Sequence, residues 1–225
     1  MKRSVFLGLL FIAPLLFSQD VLRGEVVVEL EPIYGGFMDV HQPIDMNAAY
    51  RRALEQAAML FSGQIYGWSF YYDIGERARG IQEELELTPL GKIPWGDPRL
   101  FVTHARLQNR IVTVSMDYRP SEAQARRLQM WSLGNVRSAQ AIGYGPLGIL
   151  ANGEDWFLIK QTALEDSARA AIRAMLQGSE RNRPKEARGF ISLQGFPHFY
   201  MDSGRWAARS RFRIVTTDIV PFAVH

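Results

Sequence analysis

An α+β fold, with two related helix-on-antiparallel-sheet units, is predicted by three features of this sequence. Two alanine-rich stretches carry apolar residues at helical spacing, several others alternate with period two, and the alternating stretches follow one another at hairpin-length intervals instead of alternating singly with helices. Bulk agrees with a folded domain. With 225 residues, 47% apolar, 22% charged and no cysteine, the chain is an ordinary folded protein, not a disordered, collagenous or disulfide-stapled one. A chain of this length buries enough surface to fold without a metal or crosslink.

Taking the elements in order, Glu25 to Glu31 reads as a strand around Val26, Val27 and Val28, closed by Pro32 and Gly35-Gly36. Asp45 is placed to cap a helix in which Met46, Ala49, Tyr50, Ala53, Leu54, Ala57, Ala58 and Phe61 form one apolar stripe, and Gly63 is expected to end it. Arg51, Arg52, Glu55 and Gln56 make its wet face, so a sheet is expected under the other. Ile65 to Tyr72 alternates as a strand, and an extended segment from Ile81 to Leu87 follows. Leu100 to Leu107 and Arg110 to Tyr118 are expected to pair around Gln108 and Asn109. Ser121 and Gln124 form a capping-box pair before a short helix through Trp131, stopped by Gly134.

A second capping-box pair, Thr162 and Glu165, predicts a helix through Leu164, Ala168, Ala171, Ile172 and Met175 to Gly178. Gly189 to Gln194 and His198 to Met201 read as strands, Asp202-Ser203-Gly204 as a turn, and Arg205 to Ile219 as a long last strand. The halves share short strings: Arg-Ile-Val-Thr at 110–113 and 213–216, and Ala-Met-Leu at 58–60 and 174–176. They suggest an internal repeat and a pseudo-symmetric pair of units. The expected boundaries are a first unit at 19–134, with an insertion and the short helix, a glycine-rich linker at 135–154, and a second unit at 155–225.

Residues 1–18 read as a signal peptide: Lys2 and Arg3 precede an apolar stretch from Val5 to Phe17, and Ser18 marks the expected cut. The stretch is shorter than a membrane span. The expected mature protein is therefore exported, periplasmic and not membrane-spanning. Its loss would leave 24 basic against 23 acidic residues, a balance that selects no partner. The basic charge gathers between Arg181 and Arg213.

Gly143-Tyr144-Gly145-Pro146-Leu147-Gly148 matches a dinucleotide-binding string, but Pro146 removes an amide that a pyrophosphate would need, so the segment reads as a flexible loop. His41, His104, His198 and His225 are too scattered for a metal-ligand spacing, and Glu83, Glu84 and Glu86 read as the wet face of a strand. No Ser lies in a nucleophile-elbow string, and there is no thiol. No catalytic residue, cofactor or metal is expected. The binding candidates are Arg205, Arg209, Arg211 and Arg213, sharing one face of the last strand opposite Trp206, Ala208, Phe212 and Ile214, and an aromatic surface of Tyr66, Trp68, Phe70 and Tyr72.

The export leader, the alanine-rich helices Ala48 to Phe61 and Ala163 to Leu176, and the basic strands Arg110 to Tyr118 and Arg205 to Ile219 resemble a bacterial envelope family. It includes the N-terminal domain of the flagellar assembly protein FlgT and related small periplasmic lipoproteins. The likeness covers the pattern of about half the chain. The sequence departs from the lipoprotein members in lacking cysteine, and its Trp68 to Tyr72 strand has no counterpart among them. The resemblance implies a non-enzymatic role in the cell envelope, with an envelope or flagellar protein as partner. The alternative is a module binding anionic lipid headgroups or glycans through the C-terminal arginines. A periplasmic hydrolase ranks last, and export removes nucleic acid as a partner.

Overall fold

A computed structural model describes residues 21–31, 43–75, 80, 82–146, 156–179 and 184–221. Among them, nine strands and three helices form an α+β fold with two antiparallel sheets. The expected signal peptide lies outside the described residues.

The smaller sheet runs β1 (Leu22–Glu29), β5 (Ile111–Tyr118), β4 (Leu100–Gln108), and α1 (Met46–Ile65) lies on it. Alternation explains the packing: Val26 and Val28 of β1 and Val112, Val114, Met116 and Tyr118 of β5 all point at Ala49, Ala53, Ala57, Phe61 and Ile65 of the helix. Alanines on the helix face allow close approach to the valine-rich sheet. Asp45 caps α1 as expected, its Oδ1 accepting from the Ala48 amide at 2.7 Å. Several boundaries move, and β1 runs Leu22–Glu29 against the expected Glu25 to Glu31. Gly63 lies inside α1, where a Cβ would come within 2.5 Å of the Trp68 ring and 2.9 Å of Leu193, so it serves packing and the chain turns at Gly67 with φ 66°. The β4–β5 hairpin turns on Asn109 and Arg110, with φ 51° and 61°, one residue later than predicted.

The larger sheet runs β3 (Glu84–Pro89), β2 (Trp68–Asp73), β7 (Pro184–Leu193), β9 (Arg205–Pro221), β6 (Arg137–Tyr144). The remaining strand, β8 (His198–Asp202), pairs with the first part of β9. On one face of this sheet lies α3 (Trp156–Ser179), whose Leu164, Ala168, Ala171, Ile172 and Leu176 meet Phe70, Tyr72, Ile191, Phe212 and Ile214. The capping-box pair expected to start this helix falls inside it: the Thr162 hydroxyl donates to the Leu158 carbonyl at 2.8 Å, and Glu165 accepts from Gln161. The helix starts earlier because Trp156, Ile159, Lys160 and Ala163 are also buried and extend the packed stripe.

The linker expected at 135–154 contains β6. Its small residues, read as flexibility, are there for contact: at Gly143 a Cβ would stand 1.9 Å from the Ser167 amide nitrogen and 2.5 Å from the Ala163 carbonyl of α3. The strand at 81–87 is β3, shifted to Glu84–Pro89, and Ile81 lies outside the described residues. The first and second halves also interleave, because β2 and β3 pair with β7 and so belong to the larger sheet. The boundary between sheets is therefore not a boundary in sequence. Of the repeated strings, Ala-Met-Leu lies in α1 and in α3, but Arg-Ile-Val-Thr does not occupy matching places: Arg110 sits in a turn with positive φ, while Arg213 is in the middle of β9.

Two features lock the sheets together. Between β7 and β8, Gly195 with φ 85° lets the chain dip, and Phe196 packs into both cores, its ring centroid 4.7 Å from that of Phe61. The second is α2 (Glu122–Met130), which carries the expected Ser121–Gln124 capping box and ends at Trp131, whose Nε1 donates to the Ile65 carbonyl at 3.1 Å. Gln124 of α2 also joins a buried polar network, donating to Tyr66 and Tyr118, while Tyr118 and Arg99 both donate to Asp97. Every member has a partner, which makes the network rigid.

Candidate interaction face

The last strand sorts its side chains by parity. In β9, Trp206, Ala208, Phe212 and Ile214 are buried toward α3, and Arg205, Arg209, Arg211 and Arg213 project from the opposite face. The arginine face is as predicted. Arg209 and Arg211 are exposed, and Arg205 and Arg213 are half-buried. None of the four lies within 4.0 Å of a carboxylate among the described residues, unlike Arg23, Arg99, Arg110, Arg126, Arg169 and Arg173. Burial without a nearby carboxylate lowers the Arg213 guanidinium from its usual range.

Neighbouring strands supply the rest of the face, and the register places them. Arg209 lies between His198 of β8 and Ile142 of β6; Arg211 lies beside Gln140, and Arg213 between Ser192 and Ser138. Further along, Ala207 sits between Tyr144 and Tyr200. The Arg205 guanidinium carbon is 3.9 Å from the Tyr144 ring centroid, and that of Arg209 is 5.8 Å from Tyr200, which itself stacks on His198 at 5.4 Å. Stacking holds the guanidinium plane against a ring and leaves its N–H edge for an anion. Tyr71 of β2 plays the same part for Arg188 at 5.1 Å.

The aromatic surface expected at Tyr66, Trp68, Phe70 and Tyr72 does not form. Phe70 and Tyr72 are buried under α3 at 4% and 2% exposure. Trp68 packs against Gly63, and Tyr66 belongs to the C-terminal cap of α1, its hydroxyl bound by Gln124. The strand has one face in the core because β2 is paired on both sides and covered by a helix, so its large rings serve packing. The rings that do line the arginine face are Tyr71, Tyr144, Phe190, His198 and Tyr200. Sequence reasoning missed them because they come from four strands, and only the register brings them together. The alternation of Ser138, Gln140, Ile142 and Tyr144 with Ala139, Ala141 and Gly143 was the signal available.

The remaining candidates separate. In the glycine string, Gly143 and Tyr144 belong to β6, and Gly145 donates its amide to the Trp206 carbonyl at 2.8 Å, which corrects the loop reading. Leu147 and Gly148 lie outside the described residues. Glu83 precedes β3 and pairs with Arg173 of α3 at 2.5 Å, while Glu84 and Glu86 are exposed on β3. The smaller sheet has a shallow, open concavity of about 580 Å³ near Arg23, Glu25, Thr103, Ser115 and Asp117. Its polar groups already face one another, Ser115 donating to Glu25 and Arg23 standing 3.9 Å from Asp117. No helix among the described residues is long and apolar enough to cross a membrane.

A protein-family model matches residues 15–222 of the chain. A relative from Treponema pallidum (strain Nichols), titled "Uncharacterized protein", is 24% identical over 171 residues, covering 76% of this chain and 69% of the relative. No solved structure matches.

Proposed function

The chain belongs to the family which that model defines, and we propose that it is a non-enzymatic, exported component of the cell envelope that acts through protein contacts on the open face of its larger sheet. In this reading residues 1–18 direct export to the periplasm, and the flagellar setting implied by the sequence resemblance is one place where such a component would work. The observation that carries the reading is the set of four arginines on β9, held on one face of a sheet and lacking carboxylate partners among the described residues. Charged residues so displayed favour a partner that brings carboxylates to them, with two parallel N–H···O bonds per guanidinium.

The test is crosslinking in intact cells with the triple variant Arg209→Gln, Arg211→Gln, Arg213→Gln. The wild type is expected to yield a discrete crosslinked species that the variant loses. Unchanged crosslinking in the variant, or turnover of a hydrolase substrate that depends on these arginines, would overturn the reading.

A second reading is favoured by the stacked pairs Arg205–Tyr144 and Arg209–Tyr200. Rings beside guanidinium forks also suit anionic lipid headgroups or acidic glycans. Sedimentation with phosphatidylglycerol vesicles and with polygalacturonate distinguishes it: binding by the wild type that the triple variant loses would make the face a ligand site.

A further inference from the structure

The arginine end is only half of the outward face of the larger sheet. At the opposite corner, Glu84 of β3 stands beside Asp73 of β2, and Asp73 beside Glu186 of β7; one row further in come Glu86, Tyr71 and Arg188. Glu186 is 3.3 Å from Lys185, but Glu84, Glu86 and Asp73 have no cationic partner within 4.0 Å among the described residues. Between the two corners lies Phe190, 38% exposed, paired with Ser69 on one side and Val215 on the other. The face thus has a carboxylate corner, an apolar centre on the middle strand β7, and an arginine corner of Arg209, Arg211 and Arg213.

That layout is self-complementary. A two-fold axis lying in the plane of the face and passing near Phe190 carries the acidic corner of one molecule onto the basic corner of another, and does so twice, while the apolar centres meet. Glu84, Glu86 and Asp73, with the single guanidinium of Arg188 among them, then oppose Arg209, Arg211 and Arg213 at each end. A uniformly acidic foreign partner would satisfy the arginines but meet repulsion at the carboxylate corner. Exposed and half-buried side chains from five strands about 4.8 Å apart make up this face, and its end at Ser192 of β7 is already buried within the chain. An apolar centre with a charged rim is the usual anatomy of such contacts.

We infer that the occupant of this face is a second copy of the same chain, joined as a two-fold dimer in which the β9 arginines of each copy meet the β2–β3 carboxylates of the other. The inference rests on the reading of this face as a protein-contact surface.

Analytical ultracentrifugation of the purified protein over a concentration series tests it. The wild type is expected to approach twice the monomer mass, and to dissociate as salt is raised. Two charge reversals, Arg209→Glu with Arg211→Glu, and Glu84→Arg with Glu86→Arg, should each weaken the dimer at least about tenfold by placing like charges together. All four positions are exposed, so folding is checked simply by circular dichroism. Mixing the two variants in equal amounts should restore a dimer, because both rims then carry opposite charges again. A wild type that stays monomeric, a reversal variant that dimerises like the wild type, or a mixture that fails to recover overturns the inference. A monomeric wild type that still crosslinks a different protein through Arg209, Arg211 and Arg213 would end the dimer and leave the contact function standing. Crosslinking indifferent to those arginines would end both.

Discussion

Phe196 offers the sharpest check on how the two sheets are joined. It reaches into both cores, and Gly24 on β1 lies directly against it: a Cβ at residue 24 would come within 2.3, 2.4 and 2.7 Å of three carbons of the ring. Gly24→Ala alone should therefore displace the ring from Phe61, at an overpacking cost of about 1–3 kcal/mol. Phe196→Ala alone removes a half-buried ring and should cost about 3 kcal/mol, the low end for a phenylalanine truncation because part of the ring faces solvent. In the double variant the added methyl meets no ring, so the cost of Gly24→Ala should vanish. The expected coupling is then about 1–3 kcal/mol of favourable non-additivity. Urea unfolding followed by tryptophan fluorescence gives all four free energies. Costs that add to within about 0.5 kcal/mol would mean that the ring does not fill the space over Gly24, and that the link between the sheets has been misread.

Three further outcomes follow from buried groups. Lys160 is 5% exposed, with its ammonium 4.4 Å from the Trp206 ring centroid and 3.3 Å from Gln56 Oε1; burial holds its pKa below the usual lysine range. The unfolded chain therefore binds the proton more readily than the folded one between the lowered value and 10.5, so stability falls as pH drops through that window. Lys160→Met should raise the urea midpoint at neutral pH and flatten that dependence; a lower midpoint would refute it. Asp97 is held below the ordinary carboxylate range first by hydrogen bonds from the Arg99 side chain, so its contribution is present above the unfolded value and lost as pH falls through the folded one. Thermal melts of Asp97→Asn should lose this acid limb relative to the wild type. Gly143→Ala, which would drive a Cβ into the backbone of α3, should cost more than about 3 kcal/mol by urea unfolding, and a near-neutral result would argue against the close β6–α3 contact.

Local signals carried much of this protein. The stripe from Met46 to Phe61, the Asp45 cap, the Ser121–Gln124 capping box and the parity of Arg205 to Arg213 were all legible, because each depends on side-chain spacing or on a hydrogen bond within one turn. Those same patterns fixed the α+β class and placed the arginines on one face. What the chain could not declare locally was which strands pair. Tyr66 to Tyr72 looks alike on a surface or in a core, and only its pairing between β3 and β7 under α3 buries Phe70 and Tyr72. Small residues are equally ambiguous: at Gly143 and Gly63 the missing side chain makes room for a neighbour, which no composition count distinguishes from a loop. The candidate face depends wholly on such pairing, since Glu84, Tyr71, Phe190, Arg211 and Ile142 come from five strands and meet only through sheet register. Alternation along a strand is a local property, whereas register is a long-range choice settled by how the cores close.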